Sequence, residues 1–229
     1  MRLEQRHLTA DELRADFDRI ARVDPRGSSP QLGHHAWIEL RLPPPPARAL
    51  DLGCGTGSLT RLLATRCGDA LGVDLSPVML DAARSVTPPD CPARYVLGDF
   101  RDTPPRGETF DVVTAVAALH HLPLDESLAL AASRVRPGGM LLVVDLYDSP
   151  RLPVALRHAG AWILAHWDAF TSSREALRPE VRAAWRAHGD RERLPDRAEV
   201  RAAAARLAPA PDLRFHLRWR WTLAWRRSP

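Results

Sequence analysis

No lysine and no asparagine occur in the 229 residues, so all 32 basic residues are arginine. Codons for both missing types are A/T-rich. Their absence points to a genome of high G+C content rather than to a demand for guanidinium chemistry, and it removes the basic isoelectric point, near 9.6, as a clue to partners. Cysteine is scarce. Cys54, Cys67 and Cys91 form an odd set without metal-ligand spacing, which excludes a disulfide framework and fits a reducing compartment. The apolar run Ala159–Trp167 is too short to cross a bilayer and carries His166. The opening Met-Arg-Leu-Glu-Gln-Arg-His has no apolar h-region, so a cytoplasmic protein without membrane attachment is expected.

What is present is ordinary for a globular chain: 45% hydrophobic and 26% charged residues. That excludes wholesale disorder, and the length fits one decorated α/β domain. Charge is uneven. Residues 1–150 carry 16 arginines against 20 acids, whereas residues 151–229 carry 16 against 8. Such asymmetry marks either an anionic partner or arginines solvating helix faces.

Thr9-Ala-Asp-Glu12 reads as a capping box, and Leu13, Phe17 and Ile20 then recur at helical spacing, so a helix over about 10–22 is predicted. A second runs from Pro30 to about Leu42, before the stiff Pro43–Pro46 spacer. Strands at 47–52, 70–75, 94–97, 110–116 and 140–146 alternate with helices at about 58–66, from Pro77 onward, and at about 125–135. This alternation predicts a doubly wound, mostly parallel α/β sheet with helices on both faces. Residues 151–208 read as helices only, one of them opened by Asp196-Arg-Ala-Glu199. From Leu213 to Trp225 apolar residues alternate with period two, as one long strand or as two strands meeting near Arg218. The organisation is therefore N-terminal helices (1–46) that cap a core (47–150), a helical insertion (151–208), and terminal strands (209–229) that bring the sheet to seven.

Asp51-Leu-Gly-Cys-Gly-Thr-Gly57 follows the first strand and precedes a helix. Glycines allow a tight turn and close approach of a ligand, and the helix N-terminus presents oriented N–H groups. The loop departs from G-x-G-x-x-G: with Gly53 and Gly55 as the first pair, the third position is Ser58 and Gly57 comes one residue early.

Five elements in order resemble class I S-adenosylmethionine-dependent methyltransferases of the bacterial small-molecule type. They are Ala49-Leu-Asp-Leu-Gly-Cys-Gly-Thr-Gly57, Gly72-Val-Asp-Leu-Ser-Pro-Val-Met79, Gly98-Asp-Phe100, Phe110 through His120-His121-Leu122, and Val135-Arg-Pro-Gly-Gly-Met140. The resemblance covers about Ala47 to Asp145. It implies S-adenosylmethionine as cofactor, S-adenosylhomocysteine as product, and no metal. It places Gly53, Cys54, Gly55 and Gly57 around the methionine portion, with Asp51 acting through the loop amides and the ligand's amino group. Asp74 would accept both ribose hydroxyls; its other role, helix N-cap, is already filled by Ser76. Leu75 and Met79 would pack on adenine, Asp99 and Phe100 would read its edge, and the Val116 carbonyl would take the amino group.

His120 and His121 leave the fourth strand at the carboxyl end of the sheet, where α/β folds bind ligands. His121 is the candidate base, and His120 is read as structural or pocket-lining. His34, His35 and Trp37 on the lid, with Tyr147, Trp162 and Trp167, are candidate substrate contacts. The strand-four exit lacks the Asn-Pro-Pro-Tyr-like motif of amide methylators. The leading expectation is methylation of a small molecule, on oxygen before nitrogen, in bacterial secondary metabolism, by a monomer or homodimer. Two others stand beside it: an RNA methyltransferase using the basic C-terminal part, and a cofactor-binding protein that steers a cyclisation or pericyclic step or serves regulation.

Overall fold

The computed structural model describes residues 7–25, 27, 32–105, 107–148, 178–216 and 219–229. The first helix, α1 (Ala10–Val23), starts at the expected capping box: Glu12 N–H donates to Thr9 Oγ1, and Thr9 N–H donates to Glu12 Oε2 at 2.8 Å. The helix α2 (Leu32–Glu39) ends earlier than the sequence suggests. The strand β1 (Ala47–Leu52) leads through the glycine loop into α3 (Ser58–Cys67). Then come β2 (Gly68–Asp74), α4 (Pro77–Val86), β3 (Ala93–Leu97) and β4 (Phe110–Val116). A 3₁₀ turn at Leu119–His121 precedes α5 (Leu124–Ser133) and β5 (Val135–Leu146). The remaining described elements are α6 (Pro179–Gly189), α7 (Arg197–Ala204), β6 (Asp212–His216) and β7 (Arg220–Arg226).

The seven strands lie in the order β3-β2-β1-β4-β5-β7-β6. Pairs among β1 to β5 are parallel, while β7 runs antiparallel to both β5 and β6. Strand order reverses between β1 and β4, the place where an open parallel sheet leaves a crevice at its carboxyl edge.

The central strands are apolar on both faces, as burial under helices on each side requires. Leu50, Leu52, Val113, Ala115, Leu141 and Val143 enter one core with residues of α5 and α7. Ala47, Ala49, Val112, Val116, Leu142 and Val144 enter the other with Leu59 and Leu63 of α3. The two sets alternate along each strand, which fixes register: a one-residue slip would exchange the faces.

The start of the fifth strand is where the structure departs most from the sequence reading, and the terminal stretch takes the two-strand form of the alternatives offered there. The fifth strand begins at Val135 rather than Met140, because Val135 pairs with Phe110 and the chain runs through Pro137-Gly138-Gly139 in an irregular register. Gly139 fits only without a side chain, since a Cβ there would lie 2.8 Å from the Asp111 carbonyl oxygen. The terminal apolar stretch is a hairpin. Its pairing sets Phe215 opposite Trp221 and Leu213 opposite Leu223, so the folded-back strands keep those residues on one face. In the helical insertion α6 and α7 are present, and Asp196-Glu199 caps α7. Residues 149–177, with Trp162 and Trp167, lie outside the described residues.

Trp221 is fully buried and donates its indole N–H to the Leu146 carbonyl at 3.0 Å. Trp221→Ala is expected to cost about 3–5 kcal/mol of stability, read as a lower midpoint in urea unfolding with an unchanged slope.

Candidate functional site

The glycine loop is held in place by carboxylates at strand tips. Asp51, last but one in β1, is buried. It accepts hydroxyl hydrogens from Thr60 of α3 at 2.7 Å and Thr114 of β4 at 3.0 Å. Burial raises its pKa to about 6 against the opposing pull of those two donors. Asp74 ends β2 and accepts the N–H of Gly55 at 2.8 Å and of Ser76 at 2.9 Å. Burial pushes its carboxyl above the usual range, and the two amides oppose that. Ser76 is the N-cap of α4, accepting from Met79 N–H at 3.0 Å, while its hydroxyl donates to Asp18 of α1 at 2.5 Å. Asp74 is thus free of capping duty, and its carboxylate has more acceptor sites than the backbone amides fill.

Gly53, Gly55 and Gly57 all have positive φ, at 70°, 53° and 74°. A Cβ at Gly53 would lie 2.7 Å from that of Ala118, and one at Gly57 would meet the Tyr95 hydroxyl at 2.5 Å. At Gly55 it would meet nothing within 4 Å. The loop therefore packs tightly below and opens above. Cys54 is buried beside Asp74 and Asp51, and its thiol is kept protonated.

That opening is one end of a cavity of about 570 Å³ at the carboxyl edge of the sheet, within the size range of small-molecule sites. Asp51, Gly53, Cys54, Gly55, Asp74, Leu75, Met79, Asp99, Phe100 and Val116, the residues that the resemblance assigns to the cofactor apart from Gly57, line it. Asp99 already accepts from Arg101, through its backbone N–H at 2.9 Å and its guanidinium. Gly57 sits behind the wall as the N-cap of α3. One side is walled by Leu8, Leu13, Phe17 and Ile20 of α1 and its approach, so this first helix covers the cavity.

The far end is polar. His120 is buried and hydrogen bonded through Nδ1 to Asp145 and through Nε2 to Glu192 at 2.6 Å. Burial would lower its pKa, but the charges of Asp145 and Glu192 outweigh that and raise it to about 10. His121 is lowered to about 4, by burial and by the positive charge on His120. Its Nδ1 lies 3.1 Å from Glu192 Oε1, and its Nε2 is buried with no hydrogen-bond partner among the described residues. His188 of α6 lies 3.2 Å from Asp16 through Nδ1 and 3.3 Å from Glu192 through Nε2. Phe17 meets His121 edge-on, with ring centroids 5.4 Å apart.

The lid candidates divide. His35 lines the cavity, and its buried Nε2 has no partner among the described residues. His34 is held neutral, lowered to about 4 by burial and by Arg220. Trp37 stands elsewhere, under the Arg41 guanidinium and against the α3 side of the core. Tyr147 is also displaced from the cavity: its ring is buried in the core, and its hydroxyl takes a hydrogen from Arg197 at 2.7 Å. Both are apolar enough to be drawn under helices rather than left at the rim.

Sequence reasoning missed Glu192, His188 and Asp16. Two signals point to them. Asp16 interrupts the buried stripe Leu13, Ile20, Ala21 of α1, and His188 and Glu192 stand four apart at the end of α6.

Comparison with known proteins agrees with this layout. The family described as Methyltransferase domain matches residues 49–139. A 2-phytyl-1,4-naphtoquinone methyltransferase of Thermosynechococcus vestitus is 30% identical over 184 residues, covering 76% of this chain and 80% of its own length. A 2-methyl-6-phytyl-1,4-hydroquinone methyltransferase of Synechocystis is 37% identical over 111 residues, which are 48% of this chain but only 35% of that protein. The fold matches that of the DhpI-SAM-HEP complex, with a TM-score of 0.63 at 19% identity over 97% of this chain and 99% of that one. It also matches magnesium protoporphyrin IX methyltransferase of Synechocystis with bound SAH, with a TM-score of 0.60 at 20% identity over 96% and 98% of the two chains.

Asp51 offers a test of the buried rim. Its folded pKa of about 6 lies above the ordinary 3.8, so its stabilising contribution is full below the ordinary value and is lost as pH rises through the folded one. The stability advantage of wild type over Asp51→Asn, from urea unfolding, is expected to shrink between about pH 4 and pH 6. A flat difference would place the Asp51 carboxylate among ordinary solvated acids.

A glycine loop after β1, an acid at the tip of β2, this strand order and these relatives lead to one conclusion: the chain belongs to the class I S-adenosylmethionine-dependent methyltransferases, enzymes whose cofactor is S-adenosylmethionine.

Proposed function

We propose that the protein transfers the methyl group of S-adenosylmethionine to an oxygen atom of a small, partly apolar acceptor, in a biosynthetic step of bacterial secondary metabolism. The observation that carries this reading is a single cavity with two unlike ends. The glycine loop and Asp74 form one, the His120–His121–Glu192 wall forms the other, and apolar residues of α1 cover the space between.

The residues present fit the cofactor. Gly55 leaves open space above a loop that is tightly packed beneath. Asp74 retains acceptor capacity for two ribose hydroxyls, Met79 and Leu75 offer an apolar wall for adenine, and the unpartnered His35 Nε2 suits the amino-acid carboxylate. When bound, the sulfonium supplies a methyl group already activated by positive charge. What the chain contributes is orientation and exclusion of water, which lower a barrier by several kcal/mol on the order of magnitude. Leu13, Phe17 and Ile20 exclude water. His121, the expected base, is assigned to the acceptor's hydroxyl rather than to the cofactor.

Four described arginines of the basic C-terminal part support a small acceptor over RNA. Arg191 pairs with Asp16 and Glu12, Arg193 with Glu199, Arg206 with Asp125 and Arg214 with Asp212. Guanidinium groups matched to acids make a poor phosphate rail. The relatives that methylate phytylated quinone nuclei support an apolar acceptor bearing ring oxygens.

Two measurements test the reading. Asp74→Ala is expected to weaken S-adenosylhomocysteine binding by roughly 10- to 100-fold in calorimetry; unchanged affinity would remove Asp74 from the ribose. With labelled cofactor and a panel of hydroxylated aromatic and quinol acceptors, wild type is expected to yield an O-methylated product. His121→Ala is expected to lower turnover about 100-fold while cofactor affinity holds. Full turnover in that variant would dismiss His121 from the chemistry.

A further inference from the structure

Three imidazole nitrogens converge on one carboxylate oxygen. His120 Nε2, His121 Nδ1 and His188 Nε2 lie 2.6, 3.1 and 3.3 Å from Glu192 Oε1. One oxygen has two lone pairs and cannot accept three N–H bonds in good geometry. Two of the rings are also backed by buried carboxylates, His120 by Asp145 and His188 by Asp16. An ion at His120 Nε2 must displace the proton now shared with Glu192; the ring's Nδ1 is backed by Asp145, and such carboxylate–histidine pairs are the usual outer partners of metal ligands. His120, His121 and Glu192 each offer one ligand atom, and these atoms lie within 4.8 Å of one another. Small shifts would bring all three to the roughly 2.0–2.2 Å bonds of a zinc-type ion.

We infer that His120 Nε2, His121 Nδ1 and a Glu192 carboxylate oxygen form a binding site for a divalent transition-metal cation at the acceptor end of the cavity. Two imidazoles and one carboxylate select an ion of the zinc, iron or nickel type over magnesium or calcium, which take oxygen ligands. His188, tied to Asp16, stands beside Glu192 and orients it. Three protein ligands leave a coordination position open, and all three residues line the cavity.

The inference deepens the proposed methyl transfer and rests on that reading, but it reassigns His121: with a cation on Nδ1 its one proton sits on Nε2, so the residue serves as ligand in place of base. The open position takes the acceptor's hydroxyl oxygen, and the cation acidifies it. The proton leaves to water. The oxygen lone pair then forms the new bond to the methyl carbon as the C–S bond breaks with its electron pair remaining on sulfur. The acceptor class narrows to phenols, enols or hydroxy-quinones with an oxygen able to bind a cation.

The test uses the untagged full-length chain after chelator treatment, titrated in separate experiments with zinc, with magnesium and with S-adenosylhomocysteine. One zinc ion per chain is expected, with magnesium at least about 100-fold weaker, and zinc is expected to raise the melting temperature of wild type. Glu192→Gln and His121→Gln are each expected to weaken zinc binding by about 10- to 100-fold or more while S-adenosylhomocysteine affinity stays within about twofold. If one variant fails to fold, the other is read. Wild type that binds S-adenosylhomocysteine but takes up no zinc overturns the metal site and leaves the cofactor reading intact. Zinc affinity unchanged in the folded variants overturns it as well, because the ion then sits elsewhere. Zinc bound at these residues without S-adenosylhomocysteine uptake would support the metal site and sink the proposed transfer.

Discussion

Buried carboxylates at strand tips hold the rim of this sheet together. Asp51 on β1, Asp74 on β2 and Asp145 on β5 each sit where a strand turns into its loop. A carboxylate taken out of water costs several kcal/mol unless donors surround it. The loops are therefore obliged to deliver donors: hydroxyls of Thr60 and Thr114, amides of Gly55 and Ser76, amides of Leu119, His120 and Leu146. Each acid ties its own strand to a neighbouring segment. The carboxyl edge is consequently a set of cross-linked turns rather than independent loops, and it is on this edge that the cavity opens.

Within the cavity, α1 works on both ends at once. Asp18 takes the hydroxyl of Ser76 beside the loop that follows β2. Asp16, two residues earlier, holds His188 and Arg191 on the opposite side. Between them Phe17 lies against His121 and His188. The helix that closes the pocket thus holds both the glycine-loop end and the histidine end.

Most of the fold was legible because its signals are local. The Thr9–Glu12 and Asp196–Glu199 boxes, Ser76 with Pro77, and the glycine loop each occupy a few adjacent residues and follow from backbone hydrogen-bond needs. The β5 start was not legible, since the Val135–Phe110 pairing and the contact of Gly139 with Asp111 come from a distant strand. The same division runs through the site. Asp51, Asp74 and the glycines announce themselves by position after strands. Glu192 meets His120 across 72 residues of chain, and Asp16 meets His188 across 172. No periodicity encodes such a meeting. Only the anomaly of an acid inside an apolar stripe hints that Asp16 has business in the interior. Tyr147 and Trp37 show the converse error: a polar-tipped aromatic near a rim looks like a ligand contact, yet its ring is large enough to be claimed by the core.

The wall of the cavity is drawn from Leu8 at one extreme of the chain to Glu192 near the other. Contacts of such high sequence separation form late, because the loop they close is long. The pocket as a whole does not exist until the final quarter of the polypeptide has emerged and docked against the first helix. C-terminal truncation ahead of Glu192 removes one wall of the cavity together with β7, whose Trp221 is buried in the core shared with the central strands.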